Sequence, residues 1–201
     1  MLLEHIIGFF LHPSEEWEEV RRRNISLQRV MLHILILAAI PVISGFIGTT
    51  QIGWQIGTAD TVKLTTGSAG FIAVCYYLVI IVAVFSVAWM IRWMGQTYGA
   101  MQSMTRCLVL AAYIPIPLFL VGITQVYPVL WFNLLMGIPA VTYTVFLLYI
   151  GIPVMMEIPH ERGFLFSSAV LAFGLVGLVG MLAATVILWS FGLGPEFTAK
   201  G

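Results

Sequence analysis

Charge is what this chain has least of. Nine basic and nine acidic side chains in 201 residues leave 9% of the sequence charged, while 60% of it is hydrophobic. An ordinary soluble domain carries roughly 25% charged residues, so a water-facing globular surface cannot be built from this composition. The formal net charge is zero, and no basic excess points to nucleic acid as a partner. Cysteine is scarce as well. Cys75 and Cys107 fall near opposite ends of neighbouring apolar runs, about 25 to 30 Å apart and far beyond the reach of a disulfide. Each reads as a small buried apolar side chain.

Chemistry-bearing constellations are missing too. No nucleophile has a base at useful spacing, no phosphate-cradling loop occurs, and no Asp, Glu, Lys or Arg lies deep in an apolar run. That weighs against a proton-coupled pump and against intramembrane acid–base catalysis. Glu157, His160 and Glu161, with Met90, Met94, Met101 and Met104 nearby in the layout, match no closed metal site. They read as a solvated loop and lipid-facing methionines. The expectation is a chain with no catalytic residues, no cofactor and no metal.

What is present is long apolar sequence, and the placement of the few charges cuts it into spans. No charged residue occurs between Val30 and Ala59, Leu64 and Ile91, Cys107 and Met156, or Gly163 and Pro195. About 20 residues at ~1.5 Å each cross a hydrocarbon core, so each gap holds a span and the third holds two. The spans are read at 30–50, 70–93, 107–123, 129–150 and 164–191, with a tight turn from Thr124 to Pro128 joining the third and fourth. Residues 192–201 form a short tail. Five spans put the termini on opposite sides. Arg21, Arg22, Arg23, Arg29, Arg92, Arg106 and Arg162 then share the side of the N-terminus, against Lys63 and Lys200 on the other. By the positive-inside bias the N-terminus is cytoplasmic. Trp54, Trp93, Trp131, Trp189, Tyr98 and Tyr127 fall near the span ends, where aromatic belts belong.

Residues 1–29 precede the first span, and the arginines that follow Glu4 argue against a cleaved signal. Pro13 suits a first helical turn. Glu15, Glu16, Glu18 and Glu19 lie near the start of that helix and Arg21, Arg22 and Arg23 close it, as the helix dipole favours. The expectation is an amphipathic interfacial helix resting on the leaflet through Ile6, Ile7, Phe9, Phe10 and Trp17; the competing reading is a helix docked on the cytoplasmic loops.

Proline stands near the middle of three spans, as Pro41, Pro115 with Pro117, and Pro139. Each removes a backbone donor and frees a carbonyl at membrane depth. Such breaks occur at transporter sites near the midplane and also as plain kinks, and packing is the favoured reading. Tyr113, Asn133, Tyr143, Thr142 and Thr144 are candidates to satisfy the freed groups. Leu37 to Pro41 faintly echoes Leu110 to Pro115, as a parallel repeat or by chance. Gly174, Gly177 and Gly180 make a small-residue stripe on the fifth span, expected to pack within the protomer in preference to a dimer face.

Several of these residues also carry a family resemblance. Ala38 to Val42, the run Phe46-Ile47-Gly48-Thr49-Thr50-Gln51-Ile52-Gly53-Trp54, Tyr113 with Pro117-Leu118-Phe119-Leu120, Tyr127-Pro128, and Leu147 to Pro153 resemble the YohC-like bacterial branch of the Yip family. That family is named for eukaryotic Ypt/Rab-interacting membrane proteins. The resemblance covers about Phe9 to Trp189, with Thr49, Thr50, Gln51, Gly53 and Trp54 in its most specific stretch. It implies a five-helix inner-membrane domain with a cytoplasmic N-terminus and a periplasmic C-terminus. Eukaryotic relatives act with small GTPases in vesicle traffic; the long polar N-terminal region of many of them is missing here, and Rab binding does not transfer. The combined expectation is an all-α integral membrane protein of five transmembrane helices plus the N-terminal amphipathic helix. It is non-enzymatic and organises lipids, other membrane proteins or copies of itself, with a small-solute or ion transporter as the alternative.

Overall fold

A computed structural model describes residues 2–23, 25–54, 61–97, 99–192 and 194–198; Tyr98 and Lys200 of the sequence reading lie outside them. Among the described residues the chain is helical, with only isolated bridges between extended segments. In order, the helices are α1 (Leu2–Leu11), α2 (Pro13–Arg22), α3 (Leu27–Ile47), α4 (Thr66–Thr97), α5 (Met104–Tyr113), α6 (Ile116–Val121), α7 (Leu130–Met156) and α8 (His160–Ser190). A π-helical turn, Gly48–Ile52, continues α3, and a 3-10 turn, Gly122–Val126, continues α6.

Four of these helices, counting α3 with its final turn, are long and apolar enough to cross a membrane; α5 with α6 and its turn makes a possible fifth, bent by 42°. The bend follows from the sequence. Pro115 and Pro117 each lack the N–H that would continue the ladder, and the backbone leaves helical geometry at Pro115, φ −83° and ψ 13°. Short connections make successive long helices antiparallel. One end of the bundle therefore gathers α1 and α2, the start of α3, the end of α4, the start of α5, the end of α7 and the start of α8. We call this the arginine-rich end. It holds Arg21, Arg22, Arg23, Arg29, Arg92, Arg106 and Arg162.

Burial centres on α5, where every residue from Cys107 to Tyr113 is buried. A helix apolar on all sides needs neighbours on all sides, and α3, α4 and α7 supply them through Val30, Ile34, Leu37, Ala88, Ile91, Leu147 and Ile152. Cys107 is part of this core, Cys75 is exposed on α4, and both are free thiols. By contrast, α8 leaves the bundle. Phe166, Ser167 and Val170 are buried, but beyond Leu171 nearly every residue is exposed. Apolar surface on this scale suits a lipid environment, where packing against hydrocarbon replaces burial in protein.

Two glycines permit close approach between elements distant in sequence. A Cβ at Gly122 would stand 2.6 Å from Pro41 Cβ, and one at Gly151 would stand 2.6 Å from Trp17 Cε2. Proline offers no rotamer to move aside. Gly122→Ala is therefore expected to lower stability by about 1–3 kcal/mol through overpacking. Gly174→Ala, where nothing lies within 4 Å of the added carbon, should leave it unchanged or slightly raised, since Ala is the better helix former. Thermal unfolding of both variants in the same detergent checks the contrast.

Candidate functional site

The N-terminal helices do not lie flat on the bundle's rim. The sequence predicts one interfacial helix; the structure forms two, because Pro13 cannot continue α1 and instead starts α2. Phe9 and Trp17, expected in the leaflet, are fully buried in protein. The apolar content of the pair is divided: Leu3, Ile7, Phe10 and Leu11 remain exposed, while Phe9 and Trp17 pack edge to face at 4.6 Å and Phe9 meets Tyr113 at 5.7 Å. A bundle with a glycine at position 151 offers Trp17 a slot that a flat membrane surface does not. Tyr143 donates to the Phe9 carbonyl at 2.8 Å, and its ring stacks on Phe10 at 5.3 Å. Tyr143 lies about 20 Å along α7 from Met156, at ~1.5 Å per residue, so α1 is anchored against the middle of that helix.

A polar cluster joins this hairpin to the bundle. The His5 ring bonds the Glu16 carboxylate across the hairpin, and Gly8 leaves room for Glu16 beneath α1. His5 also lies 5.9 Å from the Tyr113 ring. Tyr113 in turn shares a 2.6 Å hydrogen bond with His33 Nδ1, between residues 80 positions apart. His5 and His33 are buried. Polar groups this deep are tolerated when partnered and costly when not. Trp17 Nε1 is a buried donor without a hydrogen-bond partner, so shape and not polarity holds that ring.

At the exposed side of α2, Glu19 receives a 2.6 Å bond from Arg23 Nε. This hydrogen bond, with the positive charge of Arg23 and Arg22, holds the Glu19 carboxyl below its ordinary value, and it raises the Arg23 guanidinium. A lowered carboxyl contributes where pH is above the unfolded value, and that contribution is lost as pH falls through the folded one. In full solvent it is small. On the neighbouring flank, Arg106 bridges Gln102 at 2.7 Å and Glu157 at 3.0 Å. Glu157 closes α7 with a left-handed backbone at φ 56°.

Two cavities of similar size lie at opposite ends. One of about 480 Å³ is lined by His5, Arg23, Ile25, Arg29, Leu32 and His33. The other, about 490 Å³, lies among Ile52, Gly53, Trp54, Thr61, Tyr127, Val129, Leu130 and Trp131. The second holds part of the family-motif loop. There Thr49 and Thr50 bond back to the Gly45 and Phe46 carbonyls at 2.8 and 2.7 Å, which caps the end of α3. Lys63 reaches the Gln51 carbonyl, and Trp54 and Val62 pair backbone to backbone. Gly53, at φ 75°, makes the turn. The motif's polar residues thus largely shape their own loop.

The mid-span residues disperse. Pro41 and Pro117 are buried, Pro115 is half-buried and Pro139 is exposed on α7; none lines either large cavity. Asn133 is not at mid-depth. It sits in the first turn of α7 and ties the α6–α7 turn through Tyr127, Val129 and Thr124. Tyr113 bonds His33, Tyr143 bonds Phe9, and Thr142 bonds the Ile138 carbonyl, so these side chains do not satisfy the carbonyls freed by proline. Thr144 has no partner for its buried hydroxyl. Gly174, Gly177 and Gly180 face open space, with nothing within 4 Å of an added Cβ; the expected packing face within the protomer is absent because α8 diverges before reaching them.

Sequence reading passed over His5 and His33, and it placed Glu16 only as a helix-start acid. A histidine inside the apolar run that begins at Val30 was the available signal, but its partners lie far along the chain. Trp17→Ala should cost about 3–5 kcal/mol and expose Arg21 to Arg23 to trypsin, while Trp17→Phe should keep them protected because it discards an unpartnered donor. Limited proteolysis of the protein in membranes distinguishes the two.

Comparison with known proteins agrees with this architecture. The model of the Yip1 domain matches residues 7–181. The chain is 41% identical over 191 residues to the inner membrane protein YohC of Escherichia coli K12, covering 94% of this chain and 98% of that relative. The same figures hold for YohC of E. coli O6:H1 strain CFT073. No solved structure matches. With a domain match across most of its length and relatives aligned almost end to end, this chain belongs to the Yip1 domain family of membrane proteins.

Proposed function

We propose that the protein is a non-enzymatic, multi-pass inner-membrane organiser of lipids or partner proteins, and that its working element is the docked α1–α2 hairpin. The observation that carries this reading is the division of the hairpin. One face, Phe9 and Trp17, is locked into the bundle, and the other, Leu3, Ile7 and Leu11, is apolar and exposed. A segment held rigidly by one face presents the other without the ordering cost of a free tail. The inner-membrane location is carried over from the name of the relatives.

Five spans, counting the bent α5–α6 pair as one, and a cytoplasmic arginine-rich end complete the reading, on the positive-inside bias of the seven arginines. Nothing in the two large cavities connects the ends of the bundle through the mid-span prolines, and Pro41 abuts Gly122. A transport path has no observation in its favour.

The test compares the full chain with one lacking residues 1–23, extracted from the same membranes. Loss or replacement of specific copurifying lipids or proteins is expected. An unchanged complement of both would refute the organiser reading, and solute flux through purified protein in liposomes would replace it with transport.

A further inference from the structure

The cavity at the arginine-rich end has a chemistry of its own. Its lining combines two guanidinium side chains, Arg23 and Arg29, and two imidazoles, His5 and His33, with the apolar Ile25 and Leu32. Among the described residues no carboxylate lines it. Of the neighbouring acids, Glu16 is held by His5 and Glu19 by the Nε of Arg23, while Glu4 lies near enough to act on the Arg23 guanidinium without lining the recess. Arg29 is exposed, and its guanidinium makes no ion pair or hydrogen bond among the described residues. His33, which also lines the recess, has Nδ1 committed to Tyr113. The recess therefore offers donors without acceptors of opposite charge, a setting that selects an anion able to take several hydrogen bonds.

What lies next to it selects the kind of anion. Arg29 stands at the head of an exposed apolar stripe on α3, Leu32, Ile36 and Ile43, spaced so that one helix face carries all three. From Arg29 to Ile43 the stripe runs about 21 Å at a rise of ~1.5 Å per residue. That is the span of one hydrocarbon leaflet plus its interface. A soluble phosphate would use only the head of this arrangement. A phospholipid would use all of it, with the phosphate among Arg23, Arg29 and His33 and an acyl chain along Leu32, Ile36 and Ile43.

We propose that this cavity is a headgroup site for an anionic phospholipid, held by its phosphate at the arginine-rich end of α3. The site deepens the organiser reading by naming lipid as what is bound. It rests on that reading only in part, because it depends on the α2–α3 corner and not on the exposed face of α1. Basic recesses between helices at membrane interfaces are known to take such headgroups as a class.

The test is native mass spectrometry of the full-length protein after mild delipidation, titrated with phosphatidylglycerol, with phosphatidylcholine and with inorganic phosphate. One phosphatidylglycerol per chain should survive at energies that strip phosphatidylcholine. Arg29→Gln and Arg23→Gln should each weaken its retention by about tenfold, as expected for loss of a charged hydrogen bond, and Arg29→Lys should restore part of it. Thermal unfolding of each variant without added lipid should match the parent, which separates a lost ligand from a lost fold. Equal retention of both lipids, or retention indifferent to both arginines, overturns the proposal. Arginine-dependent binding of inorganic phosphate at the same strength overturns the lipid assignment in favour of a soluble anion. Failure here with a changed protein complement on removal of residues 1–23 would leave the organiser reading intact through proteins alone.

Discussion

The seating of Trp17 against Gly151 is the contact on which the rest of the arrangement hangs. A side chain of that size can be fully buried beside α7 only where the opposing helix has no Cβ, and a carbon at position 151 would stand 2.6 Å from the ring. Once Trp17 is seated, Phe9 is carried into the space between it and Tyr113. Glu16, one residue away, then faces His5 across the hairpin. Tyr113 links that pair to His33, and so α1, α2, α3 and α5 meet around one ring. The indole nitrogen has no partner, which makes steric fit the source of the attachment. Such fits are sensitive to single methyl groups.

The hairpin also explains an uneven distribution of packing. The arginine-rich half of the bundle contains the buried residues of α5, the base of α3 and the second half of α7, whereas the far half of α8 has no protein neighbours along most of its surface. Two extra helices lie at the first end, and they add Phe9, Trp17 and Val20 to its buried core. At the opposite end the chain is held by backbone pairing, between Trp54 and Val62 and between Leu64 and Phe197, and by Thr198 donating to the Lys63 carbonyl at 3.0 Å. Side-chain packing secures the first end, and at the other, main-chain hydrogen bonds join the contacts of Pro41 with Gly122 and of Trp54 with Phe197.

Much of this was legible in the residues. Absence of charge is a strong signal because an unpaired charge in hydrocarbon is expensive, and so the apolar gaps coincide with long helices. The helices overrun the spans read at 129–150 and 70–93, α7 to Met156 and α4 to Thr97, since backbone hydrogen bonding does not stop where lipid does. Pro115 and Pro117 announced a break and produced one. The site was less legible. Phe9 and Trp17 read as membrane-seeking because amphipathicity shows that an apolar face exists but not what covers it. His33 and Tyr113 are 80 positions apart, and no local pattern relates them. The glycine stripe carries the same ambiguity: Gly174, Gly177 and Gly180 permit close approach, and within this chain nothing lies within 4 Å of a Cβ added at them.

Insertion of the hairpin is therefore the claim that bears most weight, and one measurement addresses it directly. In a chain whose Cys75 and Cys107 are replaced by serine and alanine, Phe10→Cys and Tyr143→Cys can be paired and treated in native membranes with a short thiol cross-linker. The rings they replace stack at 5.3 Å, so an intrachain product should form at once and should disappear when Trp17→Ala is added. Efficient modification of both cysteines without any cross-link would mean that α1 lies away from α7, and the hairpin would have to be returned to the membrane surface.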